Sequence, residues 1–186
     1  MSSHHIIREK QEPALYIHRL GAFDEESLGQ LLEWSPVLIV AASEYEKVLS
    51  LGVKIDIVAG TTGEAGMQEN TRFVYMGEAL PEIVKYLITE QHTAVNIIGN
   101  ETRFDDLEPY LPEINIVLFT EKEKSYAIKS GFSIWKPQGS IFRVDIISYF
   151  ETSNLRPDPD GHLVVIKDGF VTFNFTSRYL FISEPL

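Results

Sequence analysis

The chain contains no cysteine. That excludes disulfides, thiolate metal sites and a cysteine nucleophile, and it fits a reducing, cytoplasmic setting. No apolar run approaches the roughly 20 residues needed to span a bilayer, and the N-terminal stretch lacks the charged-then-apolar order of an export signal. Basic residues are scarce: 16 Lys and Arg stand against 27 Asp and Glu, a net charge of −11. Such a balance disfavours nucleic acid or an anionic membrane as partner. No Gly-Lys-Ser/Thr end completes a Walker loop, and no G-x-S-x-G elbow frames a serine. The histidines, His4, His5, His18, His92 and His162, stand apart from partners at metal-ligand spacing, so no zinc or iron site is expected. Internal repeats and low-complexity segments are also lacking.

What is present describes a folded protein. A hydrophobic content of 44% over 186 residues argues against intrinsic disorder and allows one large domain or two small ones. The charge decides between them. Residues 1–121 carry 8 Lys and Arg against 20 Asp and Glu, a net −12, while residues 122–186 carry 8 against 7, a net +1. Two domains are therefore expected, 1–121 and 122–186, the acidity of the first being either a solvated helical skin or a cation-binding surface.

The first half alternates strand and helix. Ala14–Ile17 reads as a short edge strand. Asp24 caps a helix carrying Leu28, Leu31 and Leu32 on one face, which ends near Ser35-Pro36 because the residue before proline avoids helical geometry. Val37–Ala42 is a buried strand by its unbroken apolar run, and Ser43 with Glu46 forms an S-x-x-E capping box for the next helix, closed at Gly52. Strand Ile55–Ala59 follows, then Arg72–Met76, a helix through Leu80, Ile83, Val84, Leu87 and Ile88 with Pro81 near its start, strand Ala94–Gly99, a short helix Phe104–Tyr110, and strand Ile114–Thr120. Successive β-α units call for a parallel sheet with helices on both faces.

After Glu121 the pattern becomes all-β. Tyr126–Ile128, Phe132–Trp135, Ile141–Tyr149, Leu163–Lys167, Val171–Phe175 and Tyr179–Ser183 read as short strands divided by Ser130-Gly131, Gln138-Gly139, Asp160-Gly161 and Asp168-Gly169 turns. The fold class expected is thus α/β, a parallel-sheet domain with flanking helices, followed by a small sandwich-like β domain.

The segment most suggestive of a site is GVKIDIVAGTTGEAG, from Gly52 to Gly66. A buried parallel strand here delivers Gly60-Thr61-Thr62-Gly63 to its carboxyl end, where open α/β sheets place ligands. This loop either presents backbone N–H groups to a phosphate or is a plain connection. It carries no Asp; its acid is Glu64. Arg103 and Asp106 are spaced for one helical face, hence either a local ion pair or a nucleotide contact. Asp56 reads as a cap on a neighbouring loop. Trp135, Phe132 and Phe142 offer either a core for the β domain or a wall for a ring-shaped ligand.

Taken in order, these pieces resemble the thiamine pyrophosphokinase family over nearly the whole chain. MSSHHIIREKQEPALYI and GQLLEWSPVLIV are similar to its N-terminal extension and first strand. KVLSLGVKIDIVAG matches the helix and second strand, with Asp56 at the family's Pro-Asp or Val-Asp position. VKYLITEQHTAVNIIGN resembles the segment before its Gly-Arg-x-x-Asp-His loop, and DGFVTFNFTSRYLFISEPL its final hairpin. The resemblance implies that 1–121 corresponds to the catalytic domain and 122–186 to the thiamine-binding domain. It further implies ATP, Mg²⁺ and thiamine as ligands, AMP and thiamine diphosphate as products, and a homodimer with substrate sites across the subunit interface.

Position by position, the acids that hold the metal are replaced. Ala42 and Ser43 stand for Asp-Gly after the first strand, Thr61, Thr62 and Gly63 for Asp-Phe-Asp, and Gly77, Glu78 and Ala79 for Lys-Thr-Asp. Arg103 and Asp106 persist, while the family histidine falls on Leu107. What the resemblance leaves as nucleotide or phosphate contacts are Ser43, Gly60, Thr61, Thr62, Gly63, Asn100, Arg103 and Asp106. Glu64 and Glu78 are candidate substitute acids, and Ser153 and Asn154 remain from the thiamine-contacting segment. Two expectations stand side by side: a weak or inactive pyrophosphokinase, and a non-catalytic relative that binds thiamine, its diphosphate or a nucleotide, or regulates an active relative.

Overall fold

The computed structural model describes residues 12–34, 36–61, 68–101, 103–145 and 149–186. Its contacts divide into two compact units, Met1–Glu121 and Lys122–Leu186. The first is mixed α/β with a parallel sheet, and the second is built of strands.

In the first unit six strands lie in the order β6-β5-β1-β2-β3-β4, all parallel. They are β1 (Ala14–Ile17), β2 (Leu38–Ala41), β3 (Ile57–Gly60), β4 (Arg72–Tyr75), β5 (Ala94–Ile98) and β6 (Asn115–Phe119). Side chains alternate across the sheet. Leu15, Ile17, Leu38, Val40 and Val58 pack into a cluster with Leu28 of helix α1 (Glu25–Leu32) and Val48 of helix α2 (Tyr45–Leu49). Tyr16 takes the opposite alternation, and its hydroxyl reaches the backbone carbonyl of Glu78, just before helix α3 (Leu80–Thr89), which buries Ile83, Val84 and Leu87. Each buried Leu, Ile or Val contributes about 1.5–3 kcal/mol. Helix α1 starts as its sequence dictates: the Asp24 carboxylate accepts the Ser27 N–H at 2.8 Å. Helix α2 is closed by Gly52, whose φ of +73° is the left-handed geometry that favours glycine.

Four expectations require correction. β1 is no edge strand. It sits between β2 and β5 with every residue at 0–1% exposure, because ALYI has no polar alternation and so suits a strand covered on both faces. Residues 104–110 form turns and a three-residue 3₁₀ segment, Glu108–Tyr110, with Pro109 inside it. Phe104 and Leu107 are buried while the residues between them are exposed, a spacing that these turns share with a helix, which is why the sequence reads as helical. The Ser43–Glu46 capping box does not form. Ala42–Glu44 is a 3₁₀ turn, α2 begins at Tyr45, and no side-chain cap is made. Finally, the strand expected over 141–149 stops at Val144, beyond which residues 146–148 lie outside the described set.

In the second unit one antiparallel array runs β11-β12-β9-β14-β7 and another β10-β13-β8. The strands are β7 (Glu123–Ile128), β8 (Phe132–Lys136), β9 (Ile141–Val144), β10 (Phe150–Ser153), β11 (Leu155–Pro157), β12 (Leu163–Val165), β13 (Gly169–Phe175) and β14 (Leu180–Pro185). β10 and β11 come from a stretch whose mixed composition, FETSNLRP, hid them. Their core holds Phe142, Val165, Val171, Phe173, Leu180 and Ile182, with Phe142 and Phe173 edge to face at 5.6 Å. Phe142 is therefore core and Phe132 packs against it, but Trp135 is 53% exposed beside Phe170 on β13. Its place on β8 turns it to the outer side of the sheet.

Glu184 is the one buried acid among the described residues. It accepts hydrogen bonds from both the Tyr126 hydroxyl and the Lys136 ammonium, tying β14 and β7 to β8. Burial, reinforced by the Glu184 carboxylate, raises the Tyr126 hydroxyl far above its ordinary range, so this tyrosine keeps its proton and donates it to Glu184.

Candidate functional site

Three of the parallel strands end near sequence-predicted residues: β2 before Ala42 and Ser43, β3 at Gly60, and β5 before Gly99, Asn100 and Glu101. The sheet changes direction between β1 and β5. From β1 the chain runs outward through β2, β3 and β4, then returns through α3 to β5 on β1's other side. Open α/β sheets bind ligands in the crevice outside such a switch point. A cleft of about 340 Å³ lies there, lined by His18 after β1, Ala79, Leu80 and Pro81 at the start of α3, and Glu101, Arg103, Asp105, Asp106 and Leu107 after β5.

The predicted residues meet different fates. Ser43 and Glu78 come together: the Glu78 carboxylate accepts the Ser43 hydroxyl at 2.9 Å and the Ser43 N–H at 3.2 Å. These bonds tie the end of β2 to the entry of α3, and Ser43 finds its acid there instead of in Glu46. Gly60 is buried where strand tips converge. A Cβ on it would lie 2.4 Å from Ala42 Cβ and 3.4 Å from Glu78 Oε1, so only glycine fits. Thr61 follows in an exposed bend. Thr62, Gly63 and Glu64 lie outside the described residues. Asn100 is exposed in the bend after β5.

Arg103 pairs with Asp105 at 3.1 Å, not with Asp106, since helical spacing does not apply in a loop. Asp106 is exposed, and Leu107 is 2% exposed in the core. Asp56 accepts the Leu38 N–H at 3.0 Å and pairs with Lys54 at 2.8 Å, fastening the opposite, amino-terminal ends of β2 and β3. A second cavity, about 630 Å³ and lined by Leu32, Pro36, Val37, Leu38, Val53, Lys54 and Asp56, opens at that far end.

In the second unit Ser153 and Asn154 serve internal bonds. Ser153 Oγ lies 2.7 Å from Thr172 Oγ1. Asn154, at φ +60°, donates to the Lys167 carbonyl at 2.7 Å and accepts the Lys167 N–H at 3.2 Å. His162 does have partners: Asp158 at 3.2 Å through Nδ1 and the Arg143 Nε–H at 3.1 Å through Nε2. Asp158, Asp160 and His162 are the one such group of three among the described residues within 4.8 Å of each other. Asp158 Oδ1 already accepts the N–H groups of Asp160 and His162, as a turn does.

In the sequence His18 reads only as an isolated histidine and Tyr16 only as part of an apolar strand. The available signal was position: His18 directly follows a fully apolar run, as Ser43 nearly does after β2. Tyr16 Oη lies 3.3 Å from His18 Nδ1 and 3.3 Å from the Glu78 carbonyl oxygen. Burial, then the Glu78 charge, lifts the Tyr16 hydroxyl well above its usual value. Burial, then Arg19, lowers His18, against the opposing carboxylates of Glu78, Glu101 and Glu44.

No family model matches the sequence, and no curated relative matches it. Solved structures do match in shape. The yeast thiamin pyrophosphokinase superimposes with a TM-score of 0.65 at 10% identity, over 98% of this chain and 88% of that one. The enzyme of Geobacillus thermodenitrificans gives 0.64 at 11%, over 93% and 97%. That of Candida albicans gives 0.62 at 11%, over 94% and 89%. Across nearly its full length, then, this chain has the fold of the thiamin pyrophosphokinases.

Proposed function

We propose that this is a thiamine pyrophosphokinase-type protein that binds a small molecule at the switch-point cleft and has weak or no turnover of ATP and thiamine into AMP and thiamine diphosphate. The observation carrying this reading is the Ser43–Glu78 bond pair. Glu78 is the described acid nearest a replaced position, and its carboxylate is engaged by Ser43. Pyrophosphoryl transfer relies on carboxylates that place a metal–nucleotide complex. The described donors do not fit such a clamp: Glu78 holds Ser43, Asp105 holds Arg103, and no three acids of the cleft stand within 4.8 Å of one another. The ligand is thiamine, its diphosphate or a nucleotide, and the protein acts as a binding or regulatory relative of active enzymes. A homodimer and a cytoplasmic location belong to the same reading, the first from the family resemblance, the second from the absence of cysteine.

The test is purified protein with ATP, Mg²⁺ and thiamine, followed for AMP and thiamine diphosphate, with thermal shifts for each ligand alone. The expected result is little or no product together with a raised Tm for at least one ligand. Robust turnover abolished by Glu64→Ala or Glu78→Ala would establish a substitute acid and overturn the weak-activity reading. No thermal shift with any ligand would overturn the binding reading.

A further inference from the structure

The hydrogen bonds around His18 leave its ring one free function. A tyrosine hydroxyl has a single proton and a carbonyl has none. Both 3.3 Å contacts of Tyr16 are therefore satisfied only if Tyr16 donates to Glu78 and His18 Nδ1–H donates to Tyr16. That arrangement selects the tautomer in which Nε2 carries a lone pair. Nε2 has no hydrogen-bond partner among the described residues, and the ring lines the cleft.

The charge around it has a definite sign. Arg19 is the cation that acts on His18, against the carboxylates of Glu78, Glu101 and Glu44. The cleft wall adds Arg103, already 3.1 Å from Asp105, together with Asp106. Carboxylates outnumber cations, so a free polyphosphate meets repulsion and a cation meets attraction. About 340 Å³ is near the lower end for small-molecule pockets.

We propose that His18 Nε2 is the hydrogen-bond acceptor that fixes a small organic cation, through an N–H or O–H of that ligand, in the cleft at the β1–β5 switch point, with Tyr16 and the Glu78 carbonyl as its positioning relay. This rests on the reading that the cleft binds a small molecule, and it adds the residue and the charge of the ligand. The interaction requires neutral His18: protonation removes the acceptor and places a second positive charge beside the ligand.

The test uses the full chain with ¹⁵N-labelled histidine. Long-range ¹H–¹⁵N spectra report the tautomer, thiamine is the cationic probe, metal-free ATP is the anionic comparator, and thermal shifts are recorded in parallel. Expected are a protonated Nδ1 and a bare Nε2 in the free protein, and an Nε2 shift with thiamine but not with ATP. His18→Phe should weaken thiamine about tenfold. Tyr16→Phe should mix the tautomers and weaken thiamine by a smaller factor, and wild-type affinity should fall as pH drops through the lowered His18 pKa. An Nε2–H tautomer in the free protein overturns the proposal. So does thiamine raising the Tm while Nε2 stays unmoved, a result that leaves the binding reading intact. ATP shifting Nε2 in place of thiamine overturns the assigned charge. If neither probe changes Tm or Nε2, the proposal falls, and the binding reading falls with it when thiamine diphosphate also leaves the Tm unchanged.

Discussion

The two units handle their polar side chains in opposite ways. In the β unit they close on one another: Ser153 on Thr172, Asn154 on Lys167, His162 on Asp158 and Arg143, Lys136 and Tyr126 on Glu184. In the α/β unit some bonds also hold strand ends together, at Asp56 and Ser43, but the switch point keeps His18 Nε2, Glu101 and Asp106 facing a cleft. The difference follows from architecture. An antiparallel unit of short strands brings its loops back onto neighbouring strands. A parallel sheet delivers successive strand ends to one side, and the reversal of strand order parts two of them. Within each unit taken alone, the β unit has the more complete internal accounting and the α/β unit the better claim to a ligand.

Breaking the buried cluster of the β unit should have the largest effect. Glu184→Gln leaves the Lys136 ammonium, 17% exposed, without its carboxylate, and a loss of about 3–5 kcal/mol is expected in urea unfolding. Glu184→Leu combined with Lys136→Met should recover most of that loss; if it does not, the cluster is not governed by uncompensated charge. Gly60→Ala comes next. Its new methyl would collide with Ala42 Cβ, which should cost about 1–3 kcal/mol, and an unchanged midpoint would mean that the strand tips are looser than described. Asn154→Ala loses two bonds to the Lys167 backbone and places alanine at φ +60°; roughly 1–2 kcal/mol is expected. In the α/β unit Glu78→Ala should cost only about 1 kcal/mol, since Ser43 is exposed and water replaces the carboxylate.

The smallest effect is a pH slope that sharpens the contrast. His18 binds its proton less readily folded than unfolded, so the unfolded chain carries more protons in this range. The contribution of His18 is fully favourable above the unfolded value near 6.5 and declines as pH falls through and below it. His18→Phe should flatten this part of the stability profile. A profile identical to wild type would show that the ring is not held neutral.

Much of the scaffold was legible in residue order. VLIVAA, IDIVAG, AVNIIG and INIVLF announced strands through their short, largely apolar runs, and each is one in the structure, with ends shifted by one or two residues. Asp24 and Gly52 marked helix boundaries because capping is local chemistry. The site was harder to read. Ser43 looked like a partner for Glu46, three residues away, and is instead bound to Glu78 across two strands. Arg103 was matched to Asp106 by a helical period that the loop does not have. His18 reads as isolated because no partner stands near it at metal-ligand spacing, whereas insertion of β1 between β2 and β5 brings the histidine to the switch point.

Sequence by itself determined the alternation of strand and helix, the passage to an all-β segment after Glu121, the acidic character of the first half and the lack of aspartate in the Gly60–Gly63 loop. All of these are properties of near neighbours or of composition. Only the tertiary structure decided that Glu78 belongs to Ser43, that Gly60 must stay small against Ala42, and that Tyr16 lies against both His18 and the Glu78 carbonyl. Partners of this kind meet because parallel strands distant in sequence end side by side, and no local period encodes which end will adjoin which.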